Sequence, residues 1–272
     1  MNVIELQDLA RKIRARILKM SFESGQSTHL GGGLSLVDIL AYLYGHELNY
    51  RIQETDWSNR DRFILSKGHG VLGFFATLRE VNLIGEVEIA TFMQNESEFI
   101  AHPIMNQKYA IESSNGSLGH GLSLGIGIAW AARYKEHSHR VFVLMGDGEC
   151  NEGSVWEAAM SASELGLTNL IAIVDANGFQ SDGPIINSTG YENLISMWSS
   201  FGWNVLTVDG NSMQDIYELF TNISSERKPT MVLARTIKGK GIDFMENNNQ
   251  WHHSRLTKNN YENALAYLED GK

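Results

Sequence analysis

Two residues thirty positions apart form the most chemically suggestive pair in the chain: Asp147 in "MGDGECNEG" and Asn177 in "DANGFQSDG". One offers a charged carboxylate oxygen, the other a neutral amide oxygen. Hard oxygen donors of this kind suit Mg²⁺, with Ca²⁺ as the alternative. A small Mg²⁺ site often has few protein ligands and completes its shell with phosphate oxygens and water. Gly146 and Gly148 flank the acid, and a residue without a side chain lets phosphate approach the backbone. Yet the run from Met145 to Ala158 carries Asp147, Glu149, Glu152 and Glu157 and neither Lys nor Arg. An acidic phosphate cradle is consistent when a cation sits between the anions. A metal bridging Asp147 to a diphosphate offsets their repulsion, and N–H groups at the start of the next helix can meet the phosphate. Either run alone reads as an ordinary turn. A cradle is suggested only because a second loop lies one unit further along.

The elements that position these runs are legible from periodicity. "RVFVLM" (140–145) is an apolar, β-branched strand, "EGSVWEAAMSASEL" (152–165) has helical spacing, and "NLIAIVD" (169–175) is a second buried strand. A strand, helix and strand with short connections form a βαβ unit with parallel strands. Continuous apolar strands imply a sheet covered on both faces. Asp147 and Asn177 follow neighbouring strand ends, where ligands collect in such sheets. The alternation continues with a helix near 191–200, a strand at 203–208, a helix at 213–223 and a strand at 230–236. Upstream lie an amphipathic helix (4–20), a glycine loop (28–35), the apolar helix "LVDILAYLY", a strand (62–66), and helical segments near 70–81 and 85–94. The small-residue loop 113–121 opens a helix through Tyr134, in which Gly125 and Gly127 suggest close packing against a neighbour. Residues 238–272 are read as an irregular carboxyl-terminal segment, with a final helix at 258–269. The expected fold is α/β, a doubly wound, mostly parallel sheet with helices on both faces, in one domain spanning 1–272.

Composition narrows the function. The net charge is −10, which opposes nonspecific nucleic-acid binding. A single cysteine, Cys150, excludes an intrachain disulfide framework. The amino-terminal run alternates charged and apolar residues and lacks the uninterrupted apolar core expected of a signal peptide, and no stretch approaches ~20 apolar residues. The expectation is a cytoplasmic protein with no membrane and no nucleic-acid partner. Of nine histidines, His46, His137 and His139 sit among polar residues and receive no role. His29 and His69 follow small-residue loops, where side chains can be presented to a ligand. The histidines lack the short paired spacing of a zinc motif.

Taken in order, the motifs resemble those of the transketolase family. GDG, about thirty residues and then Asn is similar to its thiamine-diphosphate fingerprint. "THLGGGLSLVDILAYLY", "DRFILSKGHG", "AHP", "GSLGHG", "RTIKGKG" and "WHH" resemble its further motifs, so that the likeness runs from Ile4 to Ser254. The resemblance implies the thiamine-diphosphate-binding fold, thiamine diphosphate as cofactor, and transfer of a two-carbon ketol unit from a ketose or its phosphate to an aldose or its phosphate. It implies metal ligation by the side chains of Asp147 and Asn177 and the carbonyl of Phe179. It places Gly116, Ser117, Leu118, Gly146, Gly148, Glu149, Asn177, His69 and His252 at the cofactor. His29, His69, His102 and His252 are the implied catalytic residues. Glu152 and Glu157 match acidic residues that link paired active sites.

The family also needs a domain for the aminopyrimidine ring, which this sequence does not contain. The resemblance therefore implies the diphosphate-binding subunit of a split transketolase, completed by a separate carboxyl-terminal subunit carrying the pyrimidine domain in an α2β2 assembly. An exposed apolar surface is expected where that partner docks. Some positions depart from the family pattern. "SGQSTHLGG" holds extra residues and Leu30 in place of Pro, His120 stands where Gln is common, and Asn211 where His is common. These favour a specialised ketol-transferring enzyme of a sugar or secondary-metabolite pathway as the alternative. Two other readings are a noncatalytic diphosphate-binding module and a Mg²⁺-dependent hydrolase using Asp147.

Overall fold

The chain opens on helix α1 (Val3–Ser24), started by a reciprocal cap: Asn2 Oδ1 accepts the Glu5 N–H at 3.0 Å and Glu5 returns a bond to the Asn2 N–H at 2.8 Å. It stops at Gly25, whose φ of 62° is costly for any residue with a Cβ. The computed structural model describes residues 1–185, 190–223 and 228–269. After α1 come β1 (Ser27–Thr28), α2 (Leu30–Ser35), α3 (Val37–Tyr42), β2 (Arg62–Leu65), α4 (Val71–Glu80), α5 (Glu86–Ile89) and α6 (Gly121–Tyr134). Then follow β3 (Val141–Gly146), α7 (Gly153–Glu164), β4 (Leu170–Ala176), the hairpin β5 (Phe179–Gln180) and β6 (Gly183–Pro184), and α8 (Tyr191–Ser200). The last are β7 (Asn204–Asp209), α9 (Met213–Thr221), β8 (Thr230–Arg235), β9 (Ser254–Arg255) and α10 (Lys258–Glu269). No helix among the described residues is long and apolar enough to cross a membrane.

The main sheet has the order β2-β3-β4-β8-β7, and every pairing in it is parallel. Because strand side chains alternate faces, each strand feeds two cores. Phe142, Leu144, Ile171, Ile173 and Val232 join the core under α1, α3, α4 and α9. Val143, Met145, Ala172, Val174 and Met231 join the core under α6, α7 and α8. The expected doubly wound sheet with both faces covered is the fold observed.

Four sequence expectations need correction. The glycine run 28–35 is not a loop: β1 leads directly into the buried helix α2. Its glycines are packing glycines, for a Cβ on Gly33 would sit 3.2 Å from Leu72 Cβ and 3.3 Å from the Gly73 backbone. The segment 85–94 is helical only over Glu86–Ile89, and Met93 takes a left-handed φ of 61°. Gly125 packs as expected, with an added Cβ 2.5 Å from Val143 Cγ2, but Gly127 on the same helix is exposed and faces open space. In the carboxyl-terminal segment 238–272 the final helix stands where expected, as α10 stacked on α1 through the Phe22 and Tyr261 rings, but the part before it is not wholly irregular, since β9 pairs antiparallel with β1; the last three residues lie outside the described residues.

Candidate active site

The carboxyl ends of β2, β3 and β4 put three loops side by side, and the candidate site is built from them. Strand β3 ends at Gly146 opposite Asp175 of β4, so Asp147 and Asn177 leave the sheet as neighbours. The two loops touch through the residue after Asn177: the Gly178 N–H donates to Asp147 Oδ2 at 2.6 Å, while within the first loop the Gly148 N–H donates to Oδ1 at 2.8 Å. Gly178 has a φ of 77°, which lets the second loop turn back toward the first. Asn177 is held by its Nδ2 donating to Asp175 Oδ2 at 3.1 Å, while its Oδ1 accepts the Phe179 N–H at 3.1 Å. Each Asp147 oxygen and Asn177 Oδ1 accepts one of these bonds and keeps a second lone pair.

Below this pair lies a buried ion network that sequence reasoning missed. Asp175, 0% exposed, accepts from Ser35 Oγ at 2.6 Å, from Thr236 Oγ1 and from Lys67 Nζ. Burial pushes its carboxyl up, but the Lys67 ammonium and the hydroxyl donors outweigh that, and its pKa stays below the ordinary range. Asp147 forms no ion pair among the described residues, and the Lys67 charge is only a minor influence on it. Burial first, and the Asp175 charge next, raise its pKa to about 7. A buried acid short of a cation, beside a neutral amide oxygen, is a donor set that fits a divalent metal. The cradle fits as well: a Cβ on Gly148 would lie 3.0 Å from Gln180 Cβ, and Gly116 is open but for His102 at 3.7 Å. Charged residues closing apolar strands, Lys67 after "RFILS" and Asp175 ending "NLIAIVD", were the available signal.

A cavity of about 570 Å³ opens above the pair. Its lining includes His29, His69, His102, His252, Gly116, Leu118, Gly146, Asp147, Gly148, Glu149, Glu152, Asn177 and Phe179. Two anticipated residues stand apart: Ser117 is exposed beside the cavity, and Glu157 is exposed on α7. Four histidine rings surround His29, those of His69, His102, His252 and His253 at 5.5, 6.2, 5.4 and 4.5 Å. His253 was missed, although it sits in the quoted "WHH". Burial, reinforced by the neighbouring rings and Lys238, lowers His29 to about 3 and, with Lys238 as the leading charge, His252 to about 4. Burial drives His69 well down too. These imidazoles are neutral at pH 7, able to accept a proton at one nitrogen and donate from the other. Lys238 was also missed. Its Nζ contacts His252 Nδ1 at 2.9 Å and Asn249 Oδ1 at 2.6 Å, and burial followed by Lys67 lowers it to about 8.

The departures fall around the site. Leu30 is fully buried at the start of α2, His120 is exposed just before α6, and Asn211 bridges Asp38 Oδ2 at 2.9 Å and the Ile237 N–H at 2.8 Å. A larger groove of about 1000 Å³ follows β7 between α8 and α9, but it contains no histidine.

Comparison with known proteins decides the family. The family described as "Transketolase, thiamine diphosphate binding domain" matches residues 7–268. The chain belongs to the transketolase family. It is 36% identical, over 99% of its length and 96% of the relative's, to one of the subunits of the apulose-4-phosphate transketolase of Phocaeicola vulgatus. It is 34% identical to the 6-deoxy-6-sulfo-D-fructose transketolase subunit SqwG of a Clostridium species, over 98% of this chain and 97% of that one. Against human transketolase it is 33% identical, covering 97% of itself and 42% of the human chain. The Campylobacter jejuni transketolase structure superposes with a TM-score of 0.87 at 26% identity, over 99% of this chain and 43% of that one. The chain thus matches subunits of its own length end to end, and less than half of the transketolases that are single long chains.

Proposed function

We propose that this protein is the diphosphate-binding subunit of a two-chain transketolase and that it acts with a separate subunit supplying the aminopyrimidine site. The observation that carries the reading is the contact of the Asp147 and Asn177 loops at the floor of a cavity walled by His29, His69, His102 and His252. When bound, thiamine diphosphate would supply the nucleophilic carbon and electron sink for breaking and remaking a carbon–carbon bond. Asp147, Asn177 and the Phe179 carbonyl would hold Mg²⁺, or Ca²⁺ in its place. Gly116, Ser117, Leu118, Gly146, Gly148, His69 and His252 would meet the cofactor. The neutral imidazoles of His29 and His102 would move protons at the sugar hydroxyls, and all four histidines keep charge away from the reacting centre. Glu152 at the cavity and Glu157 on α7 would form the acidic link between paired sites of an α2β2 assembly.

A subunit of this kind needs a sticky face next to an open site. Leu124, Trp130 and Tyr134 on α6 and Met160 and Leu165 on or beside α7 are 44%, 54%, 81%, 48% and 42% exposed. Both helices start next to residues that line the cavity, Leu118 and Glu152, so a partner that covers Leu124 in the first turn of α6 would border the site. Names of the equal-length relatives point to ketose phosphates or sulfonated ketoses as donors, consistent with a specialised sugar pathway. The test is reconstitution with the partner subunit, thiamine diphosphate and Mg²⁺, read as ketol transfer. Little turnover is expected from either chain alone, and full turnover by this chain without a partner would refute the reading.

A further inference from the structure

Glu149 is only 1% exposed, and its carboxylate is turned into the protein. Oε1 accepts from Ser66 Oγ and from the Gly119 N–H at 2.8 Å, and Oε2 accepts from the Gly146 N–H at 3.2 Å. Ser66 Oγ also accepts the Gly121 N–H at 3.1 Å, so the hydroxyl proton is committed to Glu149. Three donors from three chain segments converge on one side chain, and only a group that accepts at both oxygens can satisfy them. An amide has one such oxygen, so Gln at this place would oppose one of the N–H groups.

The far end of the same loop is fixed from α7. Ser154 Oγ donates to the Gly119 carbonyl at 3.0 Å. Gly119 has a φ of 82°, and a Cβ there would lie 2.7 Å from Glu152 Cβ. The loop is thus held at Gly119 and Gly121, while Gly116 and Leu118 before them line the cavity. Gly146 and Gly148 line it as well. The Gly146–Gly148 loop leaves β3 and the 116–121 loop leads into α6, and a diphosphate must meet both at once.

We propose that Glu149 is a positioning residue that ties the 116–121 loop to the Gly146–Gly148 loop and so sets the width of the diphosphate cradle. It acts through the two loops, without touching the cofactor by its side chain. The inference rests on the cofactor reading above. The clasp joins Ser66, Gly119 and Gly146 and uses none of the metal-ligating atoms, although Gly146 directly precedes Asp147.

Two measurements on the full chain test it. Hydrogen–deuterium exchange without cofactor reads the clasp, and calorimetric titration of thiamine diphosphate in Mg²⁺, with the partner subunit present, reads the cradle. Glu149→Gln is expected to speed exchange across 116–121 by about tenfold while residues 141–145 stay protected, and to weaken cofactor binding by about tenfold. Ser66→Ala, which removes only the middle link, should move both in the same direction by less, and serves where Glu149→Gln folds poorly. Unchanged exchange in 116–121 overturns the clasp. Faster exchange with undiminished cofactor affinity overturns the positioning role. A wild-type assembly that binds no thiamine diphosphate overturns the cofactor reading instead, and the exchange measurement still decides the clasp.

Discussion

The Gly178 N–H and the Asp147 carboxylate are joined at 2.6 Å, a bond that spans the ends of two adjacent strands. Asp147→Asn removes the charge and one of the two acceptors while keeping the size. Thiamine diphosphate affinity in Mg²⁺ is expected to fall by about 100-fold, close to 3 kcal/mol. The melting temperature of the cofactor-free chain should change little, because relief of an Asp147 charge disfavoured by burial and Asp175 is offset by the backbone N–H that the amide nitrogen would oppose. Calorimetry paired with thermal unfolding checks both directions, and retained affinity would remove the metal-bridge argument.

The histidine cluster predicts acid sensitivity. His29 is lowered to about 3 in the fold, chiefly by burial and then by His253, His252 and His102, against about 6.5 when unfolded. The unfolded chain therefore binds more protons between those values, so stability is fully present above pH 6.5 and declines as pH falls toward 3. His29→Asn should flatten that decline. Urea unfolding midpoints at pH 7.5, 6 and 5 for both proteins measure it, and parallel curves would contradict the assignment.

Lys238 is expected to fix the tautomer of His252. A donor from Nζ to Nδ1 at 2.9 Å leaves the proton of the neutral ring on Nε2. Lys238→Met should raise the His252 pKa from about 4, though it should stay below 6.5 because burial is the larger cause. Nitrogen-detected NMR of labelled imidazoles reports both tautomer and titration; an unmoved His252 would show that Lys238 plays no part in its state.

Trp130 and Tyr134 stack on α6 at 6.2 Å between ring centroids with both rings largely in solvent. Replacing both with Glu costs the isolated chain little, because neither ring is buried in a core. Association with the partner subunit should weaken by more than about tenfold, the scale of one lost aromatic anchor. Sedimentation of the mixed chains is the readout, and undiminished assembly would move the docking face elsewhere.

What could be read beforehand follows from which signals are local. The adjacency of the Asp147 and Asn177 loops is legible because each follows a long apolar strand, and one βαβ crossover brings such ends together. Lys67, Asp175 and Lys238 were missed because their meaning depends on pairing across 108 residues for Lys67–Asp175 and on packing around His252 for Lys238. The glycine run before Ser35 misled for a similar reason. Three consecutive glycines signal a loop by propensity, yet here Gly33 lets α2 lie against α4 while Gly32 faces His69 and Gly31 faces Lys238 and Trp251, tertiary demands that outweigh the local preference.

Gly125 and Gly127 share one helix and predict opposite outcomes. An Ala methyl at 125 would meet Val143 Cγ2 at 2.5 Å, so overpacking should cost about 1–3 kcal/mol. At 127 the same methyl meets nothing within 4 Å, and relief of glycine's helix penalty should stabilise the isolated chain by about 0.5–1 kcal/mol. A glycine that weakens its own helix without an internal neighbour is accounted for if another backbone approaches there, since Leu124, Gly127, Trp130 and Tyr134 recur at helical spacing on one face. Gly127→Ala should therefore raise the denaturation midpoint of this chain and lower its affinity for the partner subunit. Denaturation and sedimentation on the same preparation measure the two signs, and a variant that gains stability with no loss of assembly would show that nothing packs closely at Gly127.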